Sequence, residues 1–210
     1  MIEPRPGVHY DFMEFRLIYK GSLPSAGNDT RAPQKNKIRE YLHPQLEQLW
    51  MTHPALQWVA DTNDPNSRKI PLWQAHDVRP MIAKRLDDCE FVPLVAKGLN
   101  LYCKLRILFL RPERAGWVIR DSGDLDNRMK VLFDALRIPK SAQEARGLPQ
   151  TLNPFFCLLE NDDSLISGIE VDTDQLLTSP NQGSTYAELI IQVSIKVTHL
   201  TWTSMAFAGD

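Results

Sequence analysis

The segment SGDLDNRMKVLFDAL, residues 122–136, sets Asp124 and Asp126 one residue apart and follows them with Lys130 and Asp134. In an extended chain, residues two apart face the same side, so the two carboxylates can point at one centre. From Asp126 onward the spacing becomes helical, and Asp126, Lys130 and Asp134 share one stripe at i, i+4 and i+8. A second acidic corner, Asp162–Asp163, stands between the apolar runs FFCLL and SLISGIEV, which flank it firmly enough to hold a metal site rigid. Magnesium takes hard oxygen ligands, a few carboxylates completed by water and substrate phosphate. Three acids from two corners, with a lysine alongside, therefore fit metal-assisted phosphodiester hydrolysis. The metals would activate water and stabilise charge at the phosphate, and Lys130 would neutralise phosphate charge. Plainer readings compete. A D-x-D-N run also makes a turn with an N-cap at Asp126, a DD pair suits a solvated turn, and Lys130 can simply partner Asp126 or Asp134. What favours the site is that all of these occur together, each beside a well-patterned apolar element.

The elements that must position these residues are legible in the apolar spacing. Residues 14–20, EFRLIYK, alternate as a strand that the GSLPSAG turn closes. In RAPQKNKIREYLHPQLEQLW, Ile38, Leu42, Leu46 and Leu49 fall on one helical face. Pro44 interrupts that run, which predicts a helix ending near Leu42 and another turn of helix from Pro44. Arg31, Lys35, Lys37 and Arg39 crowd the first half, either as a solvated face or as a surface for DNA phosphates. Residues 59–80 are polar and turn-rich and read as a surface excursion. LNLYCKLRILFL, residues 99–110, alternates strictly, and AELIIQVSIKV, 187–197, alternates again, so each is a strand with one buried face. Met129, Leu132, Phe133 and Leu136 give the clearest helix, from Asp126 to Leu136, stopped by Pro139. Residues 139–156 read as an inserted loop. These elements predict one α+β domain over residues 1–210, a mixed sheet of about four or five strands packed with two or three helices.

Bulk properties set outer bounds. A chain of 210 residues with 43% hydrophobic and 24% charged residues can bury a sizeable core, and no run approaches membrane-spanning length. The opening MIEPRPGVHYDF has no apolar core of signal-peptide length. Cys89, Cys103 and Cys157 lie far apart without a C-x-x-C pair, which argues against a zinc knuckle or disulfide framework and points to a reducing cytoplasm. The net charge of −2 divides unevenly: residues 1–159 carry +5 and residues 160–210 carry −7. A mildly basic body is compatible with a phosphate-backbone partner. His9, His43, His53, His76 and His199 have no metal-ligand spacing, and no glycine-rich phosphate loop is present.

The run D-L-D-N-x-x-K-x-x-x-D-A-L, here Asp124 to Leu136, followed downstream by an apolar run and Asp162–Asp163, resembles the RusA family of Holliday junction resolvases. The resemblance covers about residues 120–138 and 158–172. It implies an α+β fold, a homodimer and Mg²⁺- or Mn²⁺-dependent cleavage of branched DNA. It further implies that Asp124, Asp126 and one acid of the DD corner bind metal, Asp163 ahead of Asp162, and that Lys130 is catalytically important. Symmetric cutting of a four-way junction asks for two active sites, hence a two-fold dimer, for which exposed edges of strands 99–110 or 187–198 are candidate pairing surfaces. The family is expected to be strongly basic, whereas this C-terminal part is acidic, and the chain carries about twenty extra residues before the DD corner. A DNA-binding or protein-interaction module that kept the fold and lost activity is therefore the alternative, and a structural Ca²⁺ site a third.

Overall fold

A computed structural model describes residues 13–25, 31–59, 69–112, 125–161, 163–177, 183 and 185–199. Nine strands and four α-helices are present among them: β1 (Glu14–Ser22), α1 (Arg31–Thr52), β2 (Gln57–Val59), β3 (Lys69–Pro71), α2 (Arg79–Ile82), β4 (Lys84–Leu86), β5 (Cys89–Val95), β6 (Leu101–Arg111), α3 (Leu125–Leu136), α4 (Ala142–Ala145), β7 (Phe155–Leu159), β8 (Ile166–Gln175) and β9 (Tyr186–Val197). The main sheet has the order β1-β9-β6-β8, antiparallel except for the parallel β6–β8 pair. A smaller sheet, β4-β5-β7, contains the parallel β5–β7 pair, and β2 and β3 form a separate two-stranded pair. This is the α+β class expected from the sequence.

Strict alternation on β6 and β9 produces the core. Leu101, Cys103, Leu105, Ile107 and Phe109 of β6 and Ala187, Leu189, Ile191, Val193 and Ile195 of β9 are fully buried on one face. Ile38, Leu42, Leu46 and Trp50 of α1 join the same cluster, as do Met129, Leu132, Phe133 and Leu136 of α3. The opposite face of the sheet carries Lys104 and Arg106, paired with Glu170 and Asp172 of β8.

Four expectations are corrected. Helix α1 runs unbroken through Pro44, because the i+4 run Ile38, Leu42, Leu46 and Trp50 stays buried on both sides of the proline, and that packing outweighs one lost helical hydrogen bond. The described part of residues 59–80 is more than a surface excursion, since Leu72, Trp73, Ala75 and Val78 are buried. Residues 139–156 are not a loose insertion: Ala145 and Leu148 pack with Phe91, Ile138, Phe155 and Cys157 in a second cluster. Strands 99–110 and 187–198 offer no free edge, because β6 and β9 are both interior to the sheet. The edges are β1 and β8, and on β1 the Gln45 side chain bonds both the N–H and the carbonyl of Ile18, at 2.9 and 2.7 Å. That blunts a surface on which another strand could add. The unexpected strand β5, CEFVPLV, lacks alternation because most of it is buried on both sides, as parallel strands are, and Pro93 in its middle obscures the signal.

Candidate active site on helix α3

Helix α3 forms where an amphipathic run meets the core: Met129, Val131, Leu132, Phe133, Ala135 and Leu136 are all buried. It begins at Leu125, so Asp126 sits in the first turn rather than at the N-cap. A carboxylate there is favoured by the helix dipole. Asp124 lies outside the described residues. Arg128 turns inward and donates to the carbonyl of Leu23, tying the start of α3 to the chain just past β1.

The predicted polar stripe divides in two. Asp126 and Lys130 are exposed and make no ion pair with each other or with any other described residue. The plain reading in which Lys130 partners Asp126 or Asp134 is thus not realised. Asp134 is engaged elsewhere, bonded by Lys35 Nζ at 2.9 Å and by Arg137 at 2.8 Å.

That engagement overturns part of the proposed DNA-binding face. Lys35 and Arg39 are 9% and 2% exposed. Arg39 reaches Glu144 at 2.7 Å, the Asp134 carbonyl at 2.6 Å, the Arg137 carbonyl at 3.2 Å and Asn36 Oδ1 at 2.8 Å. Asn36 in turn donates to the carbonyls of Glu144 and Arg146, both at 3.0 Å. One buried polar cluster therefore joins α1, the end of α3 and α4. A guanidinium with all its reach spent on protein oxygens has nothing left for phosphate. Lys35 and Arg39 are structural cations; Lys37 remains in solvent, and Arg31 opens α1. Burial pushes the Asp134 carboxyl upward, but hydrogen bonds from Lys35 and Arg137 outweigh it and hold it below the ordinary range. Glu144 behaves alike, with Arg39 and the Lys140 N–H overcoming its burial.

The second acidic corner follows β7. Asp162 and the side chain of Asp163 lie outside the described set, while Asp163–Leu165 forms a single 3₁₀ turn leading into β8. Its surroundings are well fixed. Glu160 N–H bonds the Val95 carbonyl at 3.0 Å, its carboxylate accepts Lys97 N–H at 2.8 Å, and Lys84 pairs with it at 3.1 Å. Ile166 lies opposite Cys103, near the start of β6. The α3 start is anchored at Leu23, which bonds Thr185 beyond the other end of the sheet register. The other end of α3 meets the strand that leads into the corner: Arg137 bridges Leu159, and the Ile138 N–H bonds the Leu159 carbonyl at 3.0 Å. Among the described residues no group of three His, Cys, Asp or Glu side chains converges.

Sequence reasoning passed over the cations of β4 and of the turn after α3. Lys84, Arg85 and Lys140 line a pocket of about 520 Å³ together with Glu160, which pairs with Lys84, and Asn161. No periodic pattern marks them; only adjacency in space does. Cys103 and Cys157 are buried core residues, and burial pushes their thiols up to about 12, away from the reactive thiolate. His43 is a core residue whose Nδ1 accepts the Phe156 N–H at 3.0 Å, and burial lowers its pKa so that it stays neutral. No family model, curated protein or solved structure matches the chain.

Proposed function

We propose that the protein is a metal-dependent, structure-selective endodeoxyribonuclease acting on branched DNA, a RusA-like resolvase working as a homodimer. The observation that carries the reading is the state of Asp126 and Lys130. On a helix whose Arg128 and Asp134 are both bonded within the fold, these two alone of the charged groups stand in solvent without a described partner, one turn apart. An acid and a base kept unpaired at one helix end are free for a ligand.

Asp126 fits the oxygen preference of Mg²⁺ or Mn²⁺, which needs only one or two protein carboxylates beside water and phosphate. Asp124 would be the second, with Asp163 or Asp162 as the family resemblance implies. A bound divalent ion would supply an activated water and charge neutralisation at phosphorus. Lys130 would hold the phosphate and offset its developing charge. The acidic C-terminal part, −7 over residues 160–210, favours a second reading, a module that binds branched DNA without cutting it.

Labelled four-way junction and linear duplex, each incubated with Mg²⁺, Mn²⁺, Ca²⁺ or EDTA, decide between them. Paired nicks at symmetric positions in the junction, with Mg²⁺ or Mn²⁺ alone, are expected. Junction binding without cleavage under any ion selects the inactive module, and equal cutting of duplex and junction removes the resolvase reading.

A further inference from the structure

Helix α1 distributes its residues against the usual rule for a helix with one side in water. Lys35, Asn36, Arg39 and His43 are buried. The outward stripe is Pro33, Lys37, Tyr41, Pro44, Gln48 and Met51, all exposed. From Lys37 onward these follow i, i+4, i+7, i+11 and i+14 and make one seam, about 27 Å long from Pro33 to Met51 at 1.5 Å per residue. Lys37 is the one charge on its centre line, with Glu47 at its margin. Tyr41 and Met51 are 41% and 43% exposed. Ile18, 44% exposed, borders the seam where Gln45 bonds the carbonyls of both Ile18 and Tyr41. Three of the six large apolar side chains exposed among the described residues thus gather in one place, which marks a contact surface rather than scattered exposure.

The charges say what covers it. The Lys37 ammonium has no partner among the described residues, and Glu47 has only His43 Nε2 at 3.9 Å, on an imidazole that burial keeps neutral. Set two copies of α1 antiparallel about a two-fold axis between Leu42 and His43. Tyr41 then faces the partner's Pro44, Met51 faces the partner's Pro33, and Lys37 faces the partner's Glu47. Each contact occurs twice, as an isologous interface requires. Parallel pairing would oppose lysine to lysine and glutamate to glutamate, and an antiparallel shift by one helical turn would draw the opposite charges apart. The seam is complementary to itself in one register.

We infer that the outward seam of α1 is a homodimer interface, in which a second copy of this chain packs its α1 antiparallel with Tyr41 on Pro44 and Lys37 beside Glu47. The inference rests on the homodimer within the reading above and not on its chemistry. Its test is sedimentation of the full chain through a micromolar dilution series, with circular dichroism of each variant to check its fold. Lys37→Glu turns two attractions into two repulsions and should raise the dimer dissociation constant about tenfold or more. Lys37→Glu/Glu47→Lys restores opposite charges at both contacts and should return it to the wild-type value. Tyr41→Ser, which removes the central aromatic from both copies, should raise it about a hundredfold. Wild-type protein that stays monomeric overturns the interface together with the homodimer. A wild-type dimer that Lys37→Glu and Tyr41→Ser leave unchanged overturns the interface alone, as does a weakening by Lys37→Glu that the double variant fails to reverse. Loss and rescue of the dimer in a protein that cuts no junction keep the interface and remove the nuclease.

Discussion

The two ends of α3 carry similar charges and use them differently. At the N-terminal end, Asp126 and Lys130 are solvated and unpaired. At the C-terminal end, Asp134 and Arg137 sink into a cluster with Lys35, Arg39, Asn36 and Glu144, in which nearly every charge meets its opposite. Both ends look alike in sequence. What separates them is whether a neighbouring element, here α1 and α4, arrives close enough to supply partners. A charge without such partners remains available for chemistry, and a charge with them becomes part of the framework.

The largest expected effect lies at the crowded end. Arg39→Ala removes the shortest ion pair of Glu144 and strands the carbonyls of Asp134 and Arg137 in a buried site, and should cost about 3–5 kcal/mol of stability in urea unfolding. A loss under 1 kcal/mol would mean the cluster is solvated and the contrast between the ends false. Asp126→Asn, at the open end, should do the reverse: cleavage falls about a hundredfold or more, while the melting temperature stays put because no described bond is lost. Wild-type cutting by that variant would end the metal-site proposal.

Lys130→Ala should lower turnover about tenfold, a change of ~1.4 kcal/mol in the barrier, and leave the metal concentration for half-activity unchanged. A shift in metal dependence instead would make Lys130 a positioning residue for the metal site.

Two pH effects sharpen the contrast further. Asp134 and Glu144 have folded pKa values held below their unfolded ones, so their contribution is present above the unfolded carboxylate range and lost as pH falls through it. Unfolding free energy should therefore drop below about pH 4, and the drop should shrink in Asp134→Asn. The smallest effect is at His43. Its lowered pKa means the unfolded chain binds a proton first, so stability declines as pH falls from about 6.5. His43→Asn, which keeps an acceptor for the Phe156 N–H, should flatten the slope between pH 7 and pH 5.5 in chemical unfolding.

The elements around α3 were legible wherever one face was buried. β1, β6 and β9 alternate, and α3 repeats at i, i+3, i+4 and i+7, because each meets solvent on its other side. β5 and the 3₁₀ turn Leu72–Gln74 escaped notice because neither offers a clean period: the first is buried on both faces and holds a proline, the second is one turn long. Pro44 misled for the opposite reason, since its local signal is strong and tertiary packing overrode it. Within the candidate site, the residue types at Asp124, Asp126, Lys130, Asp162 and Asp163 were readable directly. The roles of Lys35 and Arg39 were not, because their partner Glu144 lies 105 and more residues away along the chain.

By itself, then, the sequence determined the α+β class, the core faces of β6, β9 and α3, and which residues have oxygens and cations suited to phosphate chemistry. These follow from local periodicity and side-chain chemistry, which need no knowledge of distant neighbours. Only the tertiary structure decided which charges are spent and which are free: Lys35, Arg39 and Asp134 were consumed, Asp126 and Lys130 were left in solvent, and Lys84, Arg85 and Lys140 were gathered around one pocket. The reason is that a charge's role depends on the groups within a few ångströms of it, and those groups come from segments that the chain order keeps far apart.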